Sequence, residues 1–187
     1  KYSINDGKSF PNDGEISHYH LADVLSQTLP ENIIISTGSS GLGIEAFYTV
    51  FRNKEGQRLY LTSGLGAMGY GLPSAIGACF ANNKKPMVLV EGDGSLQLNI
   101  QEMATLSSFN LPICLIIMNN QGYASIRTTQ RNYFNSRYVG TGPEAGLILP
   151  NLQKLAATYN IPYFEILDSF ELKEKLNNAM KPPWPII

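Results

Sequence analysis

The segment Gly92-Asp93-Gly94-Ser95 sets a lone carboxylate in a glycine turn, directly after the apolar run 86–91. A second apolar run ends in Asn119-Asn120, and from 93 to 120 is 27 positions. That interval is about one strand–helix–strand unit, roughly 30 residues, which returns the chain to the same edge of a sheet. Asp93 and Asn120 then both stand at the carboxyl ends of parallel strands. Adjacent strands lie ~4.8 Å apart, so two such side chains can share one ion if the strands are neighbours. One carboxylate and one carboxamide make a poor metal site by themselves. They suit Mg²⁺ held together with the phosphates of a ligand. Gly92 and Gly94 allow close backbone approach. The amides of Gly94 and Ser95, near a helix start, can face a phosphate.

A second glycine pattern offers a different chemistry. Residues 62–73, TSGLGAMGYGLP, contain Gly64-x-Gly66-x-x-Gly69, with Glu91 about twenty residues further on. That spacing is the dinucleotide fingerprint and would make the chain an NAD(P)-dependent oxidoreductase.

Several elements must position these turns. The segments 18–29, 40–51, 70–83, 99–109, 125–134, 149–160 and 169–180 read as helices, with Pro73 in a first turn and the last helix starting at Ser169. The runs NIIIS, RLYLT, PMVLVEGDG, PICLIIMNN and PYFEIL read as strands, and the terminal PPWPII as the opening of another. Apolar strands alternating with helices give an α/β fold, a three-layer α/β/α sandwich around a mostly parallel sheet. The carboxyl edge of such a sheet is where ligands bind.

Composition narrows the function classes. Across 187 residues, 43% are hydrophobic and 16% charged, which describes a globular domain with a substantial core. A net charge of −1 with no basic run speaks against a nucleic-acid partner. No apolar stretch reaches the length of a membrane span. Cys79 and Cys114 sit in apolar runs and read as buried free thiols of a reducing, cytoplasmic setting. His18 and His20 read as surface residues, since no third metal ligand is spaced for them. Residues 1–17, polar and rich in turn formers, read as a linker or N-terminal arm before a domain over 18–187. The absence of an initiating Met and the ending PPWPII suggest a piece of a longer chain.

The stretch EGDGSLQLNIQEMATLSSFNLPICLIIMNNQGY resembles the thiamine diphosphate motif, GDG followed by NN. LTSGLGAMGYGLPSAIGACFA is similar to the matching stretch of acetolactate-synthase-like enzymes. The resemblance runs from about Ile33 to Phe164. It implies a C-terminal domain that binds thiamine diphosphate and Mg²⁺. By the same resemblance Asp93, Asn120 and the Gly122 carbonyl are the metal ligands. Gly38, Ser39 and Ser40 form a diphosphate loop, although the related enzymes usually have Gly-Gln-His there. Gly92, Gly94, Ser95 and Tyr123 belong to the cofactor contacts. The Gly66 carbonyl holds the cofactor's pyrimidine amino group, and Met68 lies beneath the bend between its two rings. Under this reading the fingerprint spacing at 64–69 is a coincidence.

The resemblance also implies what the chain does and what it lacks. The expected activity makes or breaks C–C bonds next to a carbonyl, as in 2-keto acid decarboxylation or carboligation. No catalytic residue is assigned within 1–187. The relay glutamate is expected in an N-terminal domain, reaching the site from the partner subunit of a homodimer or tetramer. Glu45, Glu91 and Glu102 read as structural residues. Acetohydroxyacid synthases carry a tryptophan nine positions after the metal asparagine, where this chain has Thr129. That difference leaves the substrate unnamed. A non-catalytic scaffold remains a competing reading, opposed by the intact Asp93 and Asn120.

Overall fold

The computed structural model describes residues 10–11, 13–38, 41–62, 64–181 and 184–187, without the side chains of 41–44. The two hydroxyls expected in the diphosphate loop, Ser39 and Ser40, lie outside the described residues. Four strands form one sheet in the order β2-β1-β3-β4: β1 Ile34–Thr37, β2 Arg58–Tyr60, β3 Met87–Gly92 and β4 Ile113–Met118. Every pairing is parallel.

Residues alternate across the sheet because successive side chains of a strand point to opposite faces. Ile35, Val88, Val90 and Cys114 pack on one side against α1 (His18–Thr28), α2 (Gly41–Val50) and α8 (Leu172–Ala179). Ile34, Met87, Leu89, Ile113 and Leu115 pack on the other against α3 (Gly71–Ala81), α5 (Glu102–Ser108) and α7 (Leu152–Thr158). Two apolar cores therefore sandwich the sheet, and its central strands are apolar on both faces. Between β3 and α5 lies the short helix α4 (Asp93–Leu96), and α6 (Ala124–Tyr133) follows β4. The chain leaves β1 towards one side for β2 and returns to the other side for β3. The topological switch point is thus the crevice between the carboxyl ends of β1 and β3.

Three local expectations change. PYFEIL forms no regular strand. Instead Phe164 N–H donates to Ile187 O at 2.8 Å and Ile187 N–H to Pro162 O at 3.0 Å. Ile186 in turn bridges Cys114 beside β4, so the terminal PII does align with the sheet. Pro162 has no N–H to contribute, which limits this outer pairing to two bonds. The last helix begins as a 3₁₀ turn at Ser169 whose cap is Asp168, accepting from Phe170 N–H at 2.8 Å. His18 and His20 are half-buried rather than on the surface, and His20 stacks on Phe10. Burial pushes both imidazoles below their ordinary range. The described end of the arm is tied down as well: Gly14 N–H donates to the Asp168 carboxylate at 3.0 Å, and Ser17 caps α1.

Both cysteines are free and buried. Burial alone pushes the Cys114 thiol up to about 12. The thiolate is the reactive form, so Cys114 stays protonated through the physiological range. In native protein at pH 8, neither Cys79 nor Cys114 should label with iodoacetamide, as read by peptide mapping, and both should label after denaturation. Fast native labelling of Cys114 would contradict this packing.

Candidate functional site

The carboxyl edge of the sheet gathers the polar groups that the core excludes. β3 and β4 are neighbours in register, Gly92 opposite Met118, so the turns that follow them meet. Asp93 is 2% exposed. Its Oδ1 accepts from Gly94 N–H at 2.8 Å and its Oδ2 from Gly122 N–H at 3.0 Å. Burial pushes the Asp93 carboxyl above the usual range, and the Gly94 and Gly122 donors and the Arg127 charge oppose that push. The Gly94 amide is therefore turned onto Asp93, where the sequence suggested it would face a ligand.

Glycine is required at two of these positions by contact. A Cβ on Gly94 would come within 2.7 Å of the Tyr123 ring and 2.9 Å of the Gly122 carbonyl oxygen. Gly122 has φ +141, and a Cβ there would collide with the carbonyl of Thr141. The backbone of 122 thus threads between Asp93 and the 141 segment with no room for a side chain.

Among the described residues, four buried side-chain oxygens have no partner: Thr37 Oγ1, Glu91 Oε2, Asn120 Oδ1 and Ser169 Oγ. The first three lie at the carboxyl ends of β1, β3 and β4. Unpaired buried polar atoms are costly and rare, and three of the four gather on one sheet edge. Glu91, expected as the last residue of its strand, is followed in β3 by Gly92, and it is 2% exposed. Its carboxyl fills the space where Cβ atoms of Gly38 and Gly71 would sit. Burial raises its pKa, opposed by the N–H of Gly92. Gly38 itself donates N–H to Val90 O at 2.7 Å.

The 64–69 loop is built differently from a dinucleotide turn. β2 ends at Tyr60 and α3 begins only at Gly71. Added Cβ atoms at Gly64 and Gly66 would meet nothing. Gly69 is instead fastened to the α4 region: its N–H donates to Ser95 Oγ at 2.9 Å, and its carbonyl accepts from Asn99 Nδ2 at 2.8 Å. Gly66 has φ +59, and the loop presents Leu65, Met68 and Tyr70 outward at 94%, 42% and 43% exposure. An exposed apolar surface of this kind fits a face that another protein surface covers. Glu45 is exposed on α2, and Glu102 is half-buried and accepts from the Thr105 hydroxyl. Thr129 is exposed on α6 and donates to Ser125 O.

The donor set passes a test for a hard cation. Asp93 supplies one buried carboxylate, and Asn120 Oδ1 is a buried oxygen with no proton donor. Among the described residues no group of three His, Cys, Asp or Glu side chains could hold a metal. The Asp93 and Asn120 oxygens fit an all-oxygen site completed by ligand phosphates.

Sequence reading missed Arg127, whose Nη2 donates to Asn120 O at 2.7 Å and whose Nη1 donates to Thr141 O at 2.6 Å. A signal was present. Arg127 lies in the first turn or so of α6, where the helix dipole disfavours a cation, so some other contact had to hold it there.

The chain matches the family model "Thiamine pyrophosphate enzyme, C-terminal TPP binding domain" over residues 36–187, and it belongs to that family. It is 33% identical over 186 residues to the chloroplastic acetolactate synthase of Arabidopsis thaliana, covering 96% of this chain and 27% of that protein. It is 33% identical over 175 residues to the acetolactate synthase isozyme 1 large subunit of Escherichia coli (strain K12), covering 92% and 30%. Against the acetolactate synthase large subunit of Porphyra purpurea the identity is 32% over 169 residues, covering 84% and 28%. The chain thus spans under a third of the length of these curated relatives. It is an acetolactate-synthase-like cofactor-binding domain, and the cofactor is thiamine pyrophosphate. The oxidoreductase and scaffold readings find no support in any of these matches.

Gly122→Ala should cost about 1–3 kcal/mol through strain at positive φ, besides the collision with Thr141. Gly77→Ala, on the exposed face of α3 with open space around it, should be neutral or stabilising. Urea denaturation of the two variants beside wild type checks this. Equal midpoints for Gly122→Ala and wild type would show that the loop can relax.

Proposed function

We propose that this chain forms the metal- and diphosphate-holding domain, residues 18–187, of a longer thiamine-dependent enzyme that makes or breaks a C–C bond next to the carbonyl of a 2-keto acid or related compound. One observation carries the reading. Asp93 and Asn120 follow adjacent parallel strands, and each presents a buried oxygen, one of them without any partner. In this reading Asp93, Asn120 Oδ1 and the Gly122 carbonyl hold Mg²⁺. Gly38, Ser39, Ser40, Gly92, Gly94, Ser95 and Tyr123 surround the diphosphate, and Gly66 and Met68 meet the pyrimidine.

The bound cofactor supplies an electron sink for the carbon next to the carbonyl. The chain's own residues anchor and orient it. Asp93 offsets part of the positive charge of the ion, and the ion in turn offsets that of the phosphates. The glycines bring backbone close to the phosphate oxygens. The exposed Met68 supplies a flexible apolar support.

No carboxylate of this chain is assigned as the proton relay. Glu91 and Glu102 are engaged in packing and hydrogen bonds, and Glu45 points to solvent. A general acid must lie within hydrogen-bond reach of the atom it serves. The relay group therefore comes from another part of the full-length protein, in a homodimer or tetramer whose partner covers Leu65, Met68 and Tyr70. The buried free thiols favour a cytoplasmic setting. Thr129 leaves the second substrate unspecified.

Thiamine diphosphate with Mg²⁺ should raise the Tm of the full-length protein, since a ligand at 100 times its Kd adds about 2.7 kcal/mol. NADH and NADPH should leave Tm unchanged. A shift with NADH alone would overturn the reading.

Asp93→Ala should abolish the Mg²⁺-dependent part of cofactor binding while the fold persists, because it removes the one charged ligand. Calorimetric titration with and without Mg²⁺ decides it. Equal affinity in variant and wild type would remove Asp93 from the site.

A further inference from the structure

The segment 119–123 leaves the sheet, with Asn119 and Gln121 exposed. Arg127 of α6 holds it directly, and Gln130 holds the 139–141 strip beside it. Arg127 Nη2 donates to Asn120 O at 2.7 Å, while Nη1 donates to Thr141 O at 2.6 Å and, more weakly, to Gln121 O at 3.4 Å. Gln130 stands three residues on, on the same face of the helix. Its Oε1 accepts from Val139 N–H at 3.3 Å and from the Thr141 hydroxyl at 3.1 Å, and its Nε2 donates to Val139 O at 3.3 Å. Tyr123 N–H joins the two strips by donating to Thr141 O at 3.0 Å. The 139–141 strip is thereby laced to the 120–123 loop, with the guanidinium between them.

The guanidinium's one favourable charge interaction is a longer-range attraction to the Asp93 carboxylate, without an ion pair. A cation near the start of α6 opposes the helix dipole. Arg127 forms no ion pair: among the described residues the ion pairs are Arg52–Asp23 and Lys175–Glu171. A positive charge beside a cation site also works against the cation. What the guanidinium offers is a rigid fork that can grip several carbonyls at once, which lysine cannot match. The backbone carbonyls it takes are those of Asn120, Gln121 and Thr141. It does not take the Asn120 side-chain oxygen or the Gly122 carbonyl.

We propose that Arg127, supported by Gln130, is the positioning residue of the metal loop. By gripping the backbone carbonyls of Asn120 and Gln121 it fixes the loop so that Asn120 Oδ1 and the Gly122 carbonyl are left to the ion. The inference rests on the metal site proposed above. Contacts that orient ligands from behind typically govern metal affinity by 10–100-fold. Arg127 therefore acts on the ion and much less on the diphosphate.

The test uses full-length protein and Mn²⁺ as the probe, with free Mn²⁺ read by electron paramagnetic resonance at saturating thiamine diphosphate. Arg127→Met should weaken Mn²⁺ binding by about 10–100-fold, with Arg127→Lys between it and wild type. Arg131→Met, an exposed change on the same helix, should leave binding unchanged. In Arg127→Ala, added low-millimolar guanidinium should restore part of the affinity, and it should do nothing to wild type. A loss of fold would weaken diphosphate binding as well, whereas the positioning role leaves it nearly unchanged in Arg127→Met. Wild-type Mn²⁺ affinity in Arg127→Met, or no recovery with guanidinium, overturns the inference and leaves the metal site standing. Failure of wild type itself to bind Mn²⁺ with the cofactor overturns both.

Discussion

The hydrogen bond from Gly122 N–H to the Asp93 carboxylate, 3.0 Å long, joins the two turns on which the site depends. It exists because β3 and β4 pair in parallel and in register, so that the chain leaving each strand emerges beside the other. Desolvation makes a buried carboxylate unfavourable, and two backbone donors offset part of that cost. A divalent ion at the same place would offset the rest. The glycines suit the same packing: a side chain at 94 would push the two turns apart, and one at 122 would strike the carbonyl of Thr141.

A second buried carboxyl shapes the neighbouring crevice. Glu91 and Asp93 are both 2% exposed and lie two positions apart on one chain segment. Glu91 fills the space beneath Gly38 and Gly71, which links the end of β1 to the start of α3 at the switch point. One carboxyl thus packs the floor of the crevice while the other is held by donors at its rim. The unpartnered oxygens of Thr37, Glu91 and Asn120 lie along that line. Polar oxygens gather along this edge, whereas the two cores on either side of the sheet are apolar.

Much of this was legible in the sequence, for reasons that differ by residue. β3 and β4 are long, apolar on both faces and end in turn residues, so their parallel, buried character follows from pattern alone. Asp93 and Asn120 could be paired from spacing because one strand–helix–strand unit fixes where the chain returns. The outer segment at 162–164 was misjudged, since its apolar pattern resembles a strand and its two-bond pairing depends on distant Ile187. His20 is partly covered by Phe10, which stacks on it from outside the helix and gives no local signal in the sequence. Glu91 and Gln130 carry no local signature of their partners, and the place of Arg127 near a helix start signals a contact without naming it. Their contacts span loops that only the folded chain brings together.

Anomalous diffraction from crystals of the full-length protein grown with thiamine diphosphate and Mn²⁺ tests the central claim most directly. A single manganese peak about 2.0–2.6 Å from both an Asp93 carboxylate oxygen and Asn120 Oδ1, with the diphosphate completing its shell, is the predicted result. A peak coordinated elsewhere, or a bound diphosphate with no metal at the ends of β3 and β4, would contradict the account.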